Sequence, residues 1–131
     1  MGIRGLTIIM AALLTTAGAA EEMGDAAAGE TAFKVCTTCH AVGEGARNRV
    51  GPVLNGVIDR QAGTYPDFRY SAAMVEAGEN GLIWTPESLS QFLHAPRELV
   101  PGTRMSFAGI EDQAEIDNII AYLKTLPGAP E

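Results

Sequence analysis

The sharpest periodicity lies towards the C-terminal end, where Ile116, Ile119, Ile120 and Leu123 recur at i, i+3, i+4 and i+7 with Tyr122 beside them. That is the stripe of an amphipathic helix. Glu111 and Asp112 precede it and Lys124 stands near its end, an order that suits the helix dipole. Leu89, Phe92 and Leu93 show the same spacing behind Thr85 as N-cap and Pro86 at the first helical position, and Pro96 is expected to end that helix. Residues 71–78 read as a shorter helix closed by the turn Glu79-Asn80-Gly81. Asp25 caps an opening helix that begins Ala26-Ala27-Ala28 and is expected to run on through Phe33 to Cys36 and Cys39. Gly29 is a poor helix former on the same face as Phe33, so it reads as a point where another helix comes close. Between these elements residues 41–70 carry glycines at 43, 45, 51, 56 and 63, prolines at 52 and 66, and little periodicity. No stretch alternates convincingly and no internal repeat stands out. The expectation is an all-α domain of three to five short helices joined by long loops.

A loop of that length argues against an ordinary small domain, unless a cofactor supplies the surface it wraps. Cys36-Thr37-Thr38-Cys39-His40 supplies the reason to expect one. Two cysteines three apart with histidine immediately after the second is the attachment pattern of a c-type haem. Residues three apart share a helix face, so both thiols can reach the two vinyl groups along one porphyrin edge, and His40 can serve as the proximal iron ligand. These are the only two cysteines, and His40 is one of only two histidines. A disulfide across two residues makes a tight, strained ring and needs no histidine. A thioredoxin-like pair expects a βαβ surrounding. A zinc site would need His94 as a fourth ligand at atypical spacing.

At 131 residues one domain is expected. Arg4, an apolar run over residues 6–14 and Ala17-Gly18-Ala19 read as a signal peptide over residues 1–19, followed by a polar lead-in at 20–24 and the domain at 25–131. The apolar run is short for a transmembrane helix, so an anchor is the lesser alternative and a periplasmic protein the leading one. Nine basic residues against sixteen acidic ones give a net charge of −7. That argues against a nucleic-acid partner, which requires a basic face.

The candidates for a second axial ligand are Met23, Met74, Met105 and His94. Met105 follows Pro101-Gly102-Thr103-Arg104, a turn-rich path that lets a side chain point inward free of a helix, whereas Met74 reads as core packing and His94 as solvent-facing. Met105 is therefore assigned, with His40 opposite. A neutral thioether favours Fe(II) and raises the potential.

The chain resembles the class I cytochromes c, and within them the bacterial cytochrome c2 and mitochondrial branch. The resemblance covers residues 25–126 and rests on C-T-T-C-H, on G-P-V-L-N-G at 51–56, on Trp84, on P-G-T-R-M-S-F-A-G at 101–109 and on A-Y-L-K at 121–124. It implies that the carbonyl of Pro52 accepts from the ring N–H of His40. It also implies that Arg60, Tyr70 and Trp84 meet the haem propionates, and that Leu54, Leu93 and Phe107 line the pocket. Gly29, Phe33 and Tyr122 would form the contact between first and last helices. Phe92 and Met74 depart from the family's usual Tyr and Asn, and about three extra residues lie between Tyr70 and Trp84.

These residues describe one covalent haem c, attached through Cys36 and Cys39, in a monomeric one-electron carrier rather than an enzyme. No acid–base pair or activated nucleophile accompanies the haem motif, and no small-molecule substrate is expected. The expected partners are redox proteins docking at the haem edge: a quinol-oxidising cytochrome bc-type complex on one side, and an oxidase or a photosynthetic reaction centre on the other. A dedicated haem subunit or acceptor of a periplasmic dehydrogenase is the alternative. The resemblance implies that Arg47, Arg49, Arg97 and Arg104 lie around the exposed haem edge and Glu111, Asp112, Glu115 and Asp117 at the back, giving a dipolar molecule suited to acidic partners.

Overall fold

The structure, a computed structural model, describes residues 1–2 and 24–129. The expected signal peptide and Met23 therefore lie outside the described residues. Among the described residues five α-helices follow in order: α1 (Ala26–Ala32), α2 (Ala72–Glu79), α3 (Pro86–His94), α4 (Pro96–Leu99) and α5 (Gln113–Lys124). A 3₁₀ segment, Phe33–Thr38, continues directly from α1. The only strand-like pairing among the described residues is a single antiparallel bridge between Gln61 and Ile83.

Most helix starts are where side-chain chemistry puts them. Asp25, Ser71, Thr85 and Asp112 each accept a hydrogen bond from a backbone N–H of the first turn that would otherwise lack a partner. Pro86 takes the first position of α3, where its missing N–H costs nothing. One expectation is corrected and another extended. The opening α-helix stops at Ala32 and tightens into the 3₁₀ segment instead of running to Cys39. The run Val35-Cys36-Thr37-Thr38 is rich in β-branched residues that resist α-helix, and Thr37 Oγ1 donates to the Lys34 carbonyl at 2.6 Å, diverting a helix acceptor. Pro96 does more than end α3: after Ala95 it opens the one-turn helix α4.

The core is built on the crossing of α1 and α5. Ile116, Ile119, Ile120 and Leu123 of α5 are all buried, Ile116 completely, and each buried aliphatic side chain of this size contributes about 1.5–3 kcal/mol. Phe33 packs on Tyr122 with ring centroids 5.4 Å apart. Asp25 N–H donates to Asn118 Oδ1 at 2.7 Å, tying the start of α1 to the middle of α5. At the centre stands Gly29, against which the backbone of Asn118 lies so close that a Cβ would overlap its carbonyl and come within 2.9 Å of Tyr122 Cβ. The same core includes Trp84, Leu89, Phe92 and Leu93, with Trp84 and Phe92 rings 4.9 Å apart.

Gly29→Ala tests this crossing. Alanine favours a helix by about 1 kcal/mol over glycine, but the overlap is with backbone that cannot swing aside, and overpacking of this kind costs about 1–3 kcal/mol or more. Urea unfolding of the haem-loaded protein is expected to show a net loss of roughly 2 kcal/mol; a variant as stable as the parent would contradict the packing described.

Candidate haem site

The 3₁₀ segment governs the first part of the site. At three residues per turn, side chains at i and i+3 eclipse, which places Cys36 and Cys39 on one side of the chain. Both are free thiols and half-buried. Cys39 N–H and His40 N–H both reach back to the Cys36 carbonyl, at 3.1 and 2.9 Å. Arg49 Nη1 donates to the Thr37 carbonyl at 2.8 Å, tying the following loop to the cysteine turn.

His40 is oriented from outside. Its Nδ1 lies 2.7 Å from the Pro52 carbonyl. A carbonyl can only accept, so Nδ1 carries the proton and Nε2 keeps its lone pair free. Burial pushes the imidazole pKa down, and the Pro52 carbonyl partly offsets this; the neutral form, which binds metals, is favoured. Gly51 lies flat against the same ring: a Cβ there would stand 2.7 Å from Nδ1 and 2.8 Å from Nε2. Gly51 N–H in turn donates to the Cys39 carbonyl at 2.9 Å. Burial raises the pKa of the Cys36 thiol, and the nearby Glu115 carboxylate raises it further.

The 51–58 stretch alternates. Gly51, Val53, Asn55 and Val57 are buried, while Pro52, Leu54, Gly56 and Ile58 are half-buried. Asn55, only 7% exposed, clamps the loop by accepting from Gly43 N–H and donating to the Gly43 carbonyl, each at 2.8 Å. Arg60 Nη2 donates to the Asn55 carbonyl, and its guanidinium lies 4.8 Å above the Tyr65 ring. Tyr65 N–H donates to the Tyr70 hydroxyl at 3.1 Å. Arg60 O accepts from Trp84 N–H at 2.8 Å, so Arg60, Tyr70 and Trp84 form one connected group.

Met105 stands on the extended stretch between α4 and α5, with Thr103 Oγ1 accepting from its N–H at 3.3 Å and its own carbonyl accepting from Phe107 N–H at 3.0 Å. Arg104 Nη2 anchors this stretch to the Arg69 carbonyl at 2.8 Å. Leu54, Tyr70, Met105 and Phe107 are part-buried and pack against the main core, to which Leu93 and Trp84 belong. Of the other ligand candidates, Met74 is buried in that core. His94 is exposed at the end of α3, with Nδ1 2.9 Å from the Ile110 carbonyl. Among the described residues no three His, Cys, Asp or Glu side chains converge to hold a bare metal ion.

Sequence reasoning quoted Gly51 and Asn55 within the motif at 51–56, without a role, and passed over Tyr65. The signal for the first two was their place in the G-P-V-L-N-G motif, with an Asn-Gly pair inside an otherwise apolar run. Nothing local marks Tyr65, whose partners Arg60 and Tyr70 lie on the flanking loop.

The charges divide differently from the expectation. Glu111, Asp112 and Glu115 do not sit on a remote face; they line one depression together with Phe107 and Val35.

The sequence profile of the cytochrome c family matches residues 26–127. The chain belongs to that family. Within the class I cytochromes c it is similar to the cytochrome c2 of Agrobacterium tumefaciens (strain II Chrys), 58% identical over 100 residues that cover 76% of this chain and 90% of that protein. The cytochrome c2 of Afifella marina is 56% identical over 99 residues, covering 76% and 80%. The solved structure of cytochrome c2 from Rhodospirillum centenum superposes with a TM-score of 0.74 at 45% identity, covering 79% of this chain and 99% of that one. This cytochrome therefore has the class I all-α fold, carries a covalent haem c and is an electron carrier rather than an enzyme.

The residues present fit that group: two free thiols on one side of a 3₁₀ turn, an imidazole with Nε2 free, a thioether on a separate loop, and apolar side chains packed on the core. Gly51→Ala checks the fit. The added methyl should turn the imidazole away, lowering the yield of haem-loaded protein roughly tenfold, as disturbed supports of metal ligands commonly do. The check is the ratio of haem absorbance to polypeptide mass; unchanged yield and spectrum would count against the contact.

Proposed function

We propose that the chain is a diffusible, periplasmic one-electron carrier, exported by a signal peptide over residues 1–19. It shuttles between a quinol-oxidising cytochrome complex and a terminal oxidase or reaction centre. The observation that carries this reading is the His40–Pro52 hydrogen bond directly after the cysteine pair, because it presets an imidazole for iron in a chain whose relatives carry haem. Among the described residues no helix is long and apolar enough to cross a membrane.

The chemistry that a bound haem would supply is uptake and release of one electron, with no bond made or broken. The chain's own residues hold geometry and exclude water. Cys36 and Cys39 supply the thioether links. His40, fixed by Pro52 and Gly51, would hold the iron through Nε2, and Met105 would hold it through its sulfur. Such a ligand pair would keep the reorganisation that accompanies electron transfer small. Leu54, Leu93 and Phe107 line the pocket. Arg60, Tyr70 and Trp84 would neutralise or bond the propionates, and the Asn55 carbonyl and the Tyr65 ring hold Arg60 in place. Burial lowers the Arg60 pKa, with Tyr70 and Tyr65 pulling the other way.

The whole reading is tested by the natively exported protein, which should be red, heavier than its polypeptide by one haem, and titrate as a one-electron couple. Met105→Ala isolates the second ligand. It should lose the weak sulfur-to-iron band near the red end of the spectrum, bind carbon monoxide readily when reduced, and fall in potential. A Met105→Ala variant with an unaltered spectrum and no carbon monoxide binding would assign the sixth position elsewhere.

A further inference from the structure

The extended stretch around Met105 separates two depressions of opposite charge. Arg69 and Arg104 flank one, of about 530 Å³. The other, of about 610 Å³, is lined by Val35, Phe107 and Ile110 and by the carboxylates of Glu111, Asp112 and Glu115, with no lysine or arginine among its lining residues. Val35 is 56% exposed, one of the few large apolar side chains left open to water. Asp112 caps α5, accepting from Ala114 N–H at 2.9 Å.

We propose that this second depression is the docking surface for a redox protein that presents lysine or arginine side chains around an apolar tip, a proposal that rests on the electron-carrier reading. Three features of the depression support it. Its apolar residues surrounded by charge have the make-up of an interface, with an apolar centre and a polar rim. Three carboxylates without a lining cation repel one another, and a basic partner relieves that repulsion while being steered towards the surface by the chain's net charge of −7. The carboxylates do not converge to hold a metal ion, so the counter-charge they suit is spread out, as on a protein surface. The position is also continuous with the haem site. Val35 immediately precedes Cys36, and Phe107 follows Met105 by two residues, so a partner seated here would lie beside both the attachment turn and the second-ligand loop.

The test uses the haem-loaded full chain with poly-L-lysine as a defined basic probe and poly-L-glutamate as its opposite. Amide NMR shifts caused by poly-L-lysine should centre on Val35, Phe107, Ile110 and residues 111–115, and should fade as salt is raised. The triple change E111Q/D112N/E115Q, which keeps a capping side chain at position 112, should weaken binding at least about fivefold. E76Q/E79Q on α2 should change it by less than about twofold, being remote from the surface. The double change E111Q/E115Q, which leaves Asp112 intact, gives the same comparison if the triple variant folds poorly. Shifts centred elsewhere, equal weakening by E76Q/E79Q, or preference for poly-L-glutamate would overturn the proposal. Voltammetry of the same samples on amine- and carboxylate-terminated electrodes separates the two readings. No reversible couple on either electrode would sink the electron-carrier function, whereas a couple that is faster on the carboxylate surface would sink only the docking surface.

Discussion

The approach of α1 to α5 at Gly29 is the constraint on which the remainder of the molecule depends. A glycine without a Cβ lets the Asn118 backbone come into direct contact, and that closeness brings the Phe33 and Tyr122 rings together. The 3₁₀ segment carrying the cysteines grows straight out of α1, so the crossing also sets where the haem attachment begins. The intervening loops form no regular sheet and are held by side chains: Asn55 on Gly43, Arg60 on Asn55, Asn48 Nδ2 on the Pro66 carbonyl and Arg104 on Arg69. Each of these bonds satisfies backbone groups that secondary structure would otherwise have paired.

The helices were legible because their signals are local. A capping oxygen, a proline at the first position and an i, i+3, i+4 stripe all act within one or two turns, and α2, α3 and α5 begin where those signals stand. The cysteine pair with its histidine was legible for another reason, since porphyrin chemistry demands that spacing. The α-to-3₁₀ change at Phe33 was not read, because the β-branched run weakens an α-helix without naming what replaces it. Nor was α4, whose single turn is too short to show a period.

The site divides in the same way. The Pro52 role came through the family resemblance, and the hydrogen bond to His40 gives it a physical form. Gly51 and Asn55 act through contacts that only the folded loop creates, one by lacking a side chain and the other by burying a polar one. The surface charges were the least legible. Acidic residues at the start of α5 read as dipole partners of that helix, and they are, but the same residues also line a hollow beside Phe107. Helical periodicity records which side of a helix a residue occupies and is silent on which neighbouring loop that side meets.

The 3₁₀ winding before Cys39 also limits how this segment can evolve. A turn of three residues rotates about 120° per residue, so removing or adding one residue between Cys36 and Cys39 would swing one thiol a third of the way round the chain. An α-helix would at least return near the same face at a spacing of four; this segment does not. Insertions and deletions are therefore shut out of the two threonines, while Thr37 and Thr38, both exposed, remain open to exchange by side chains of other kinds.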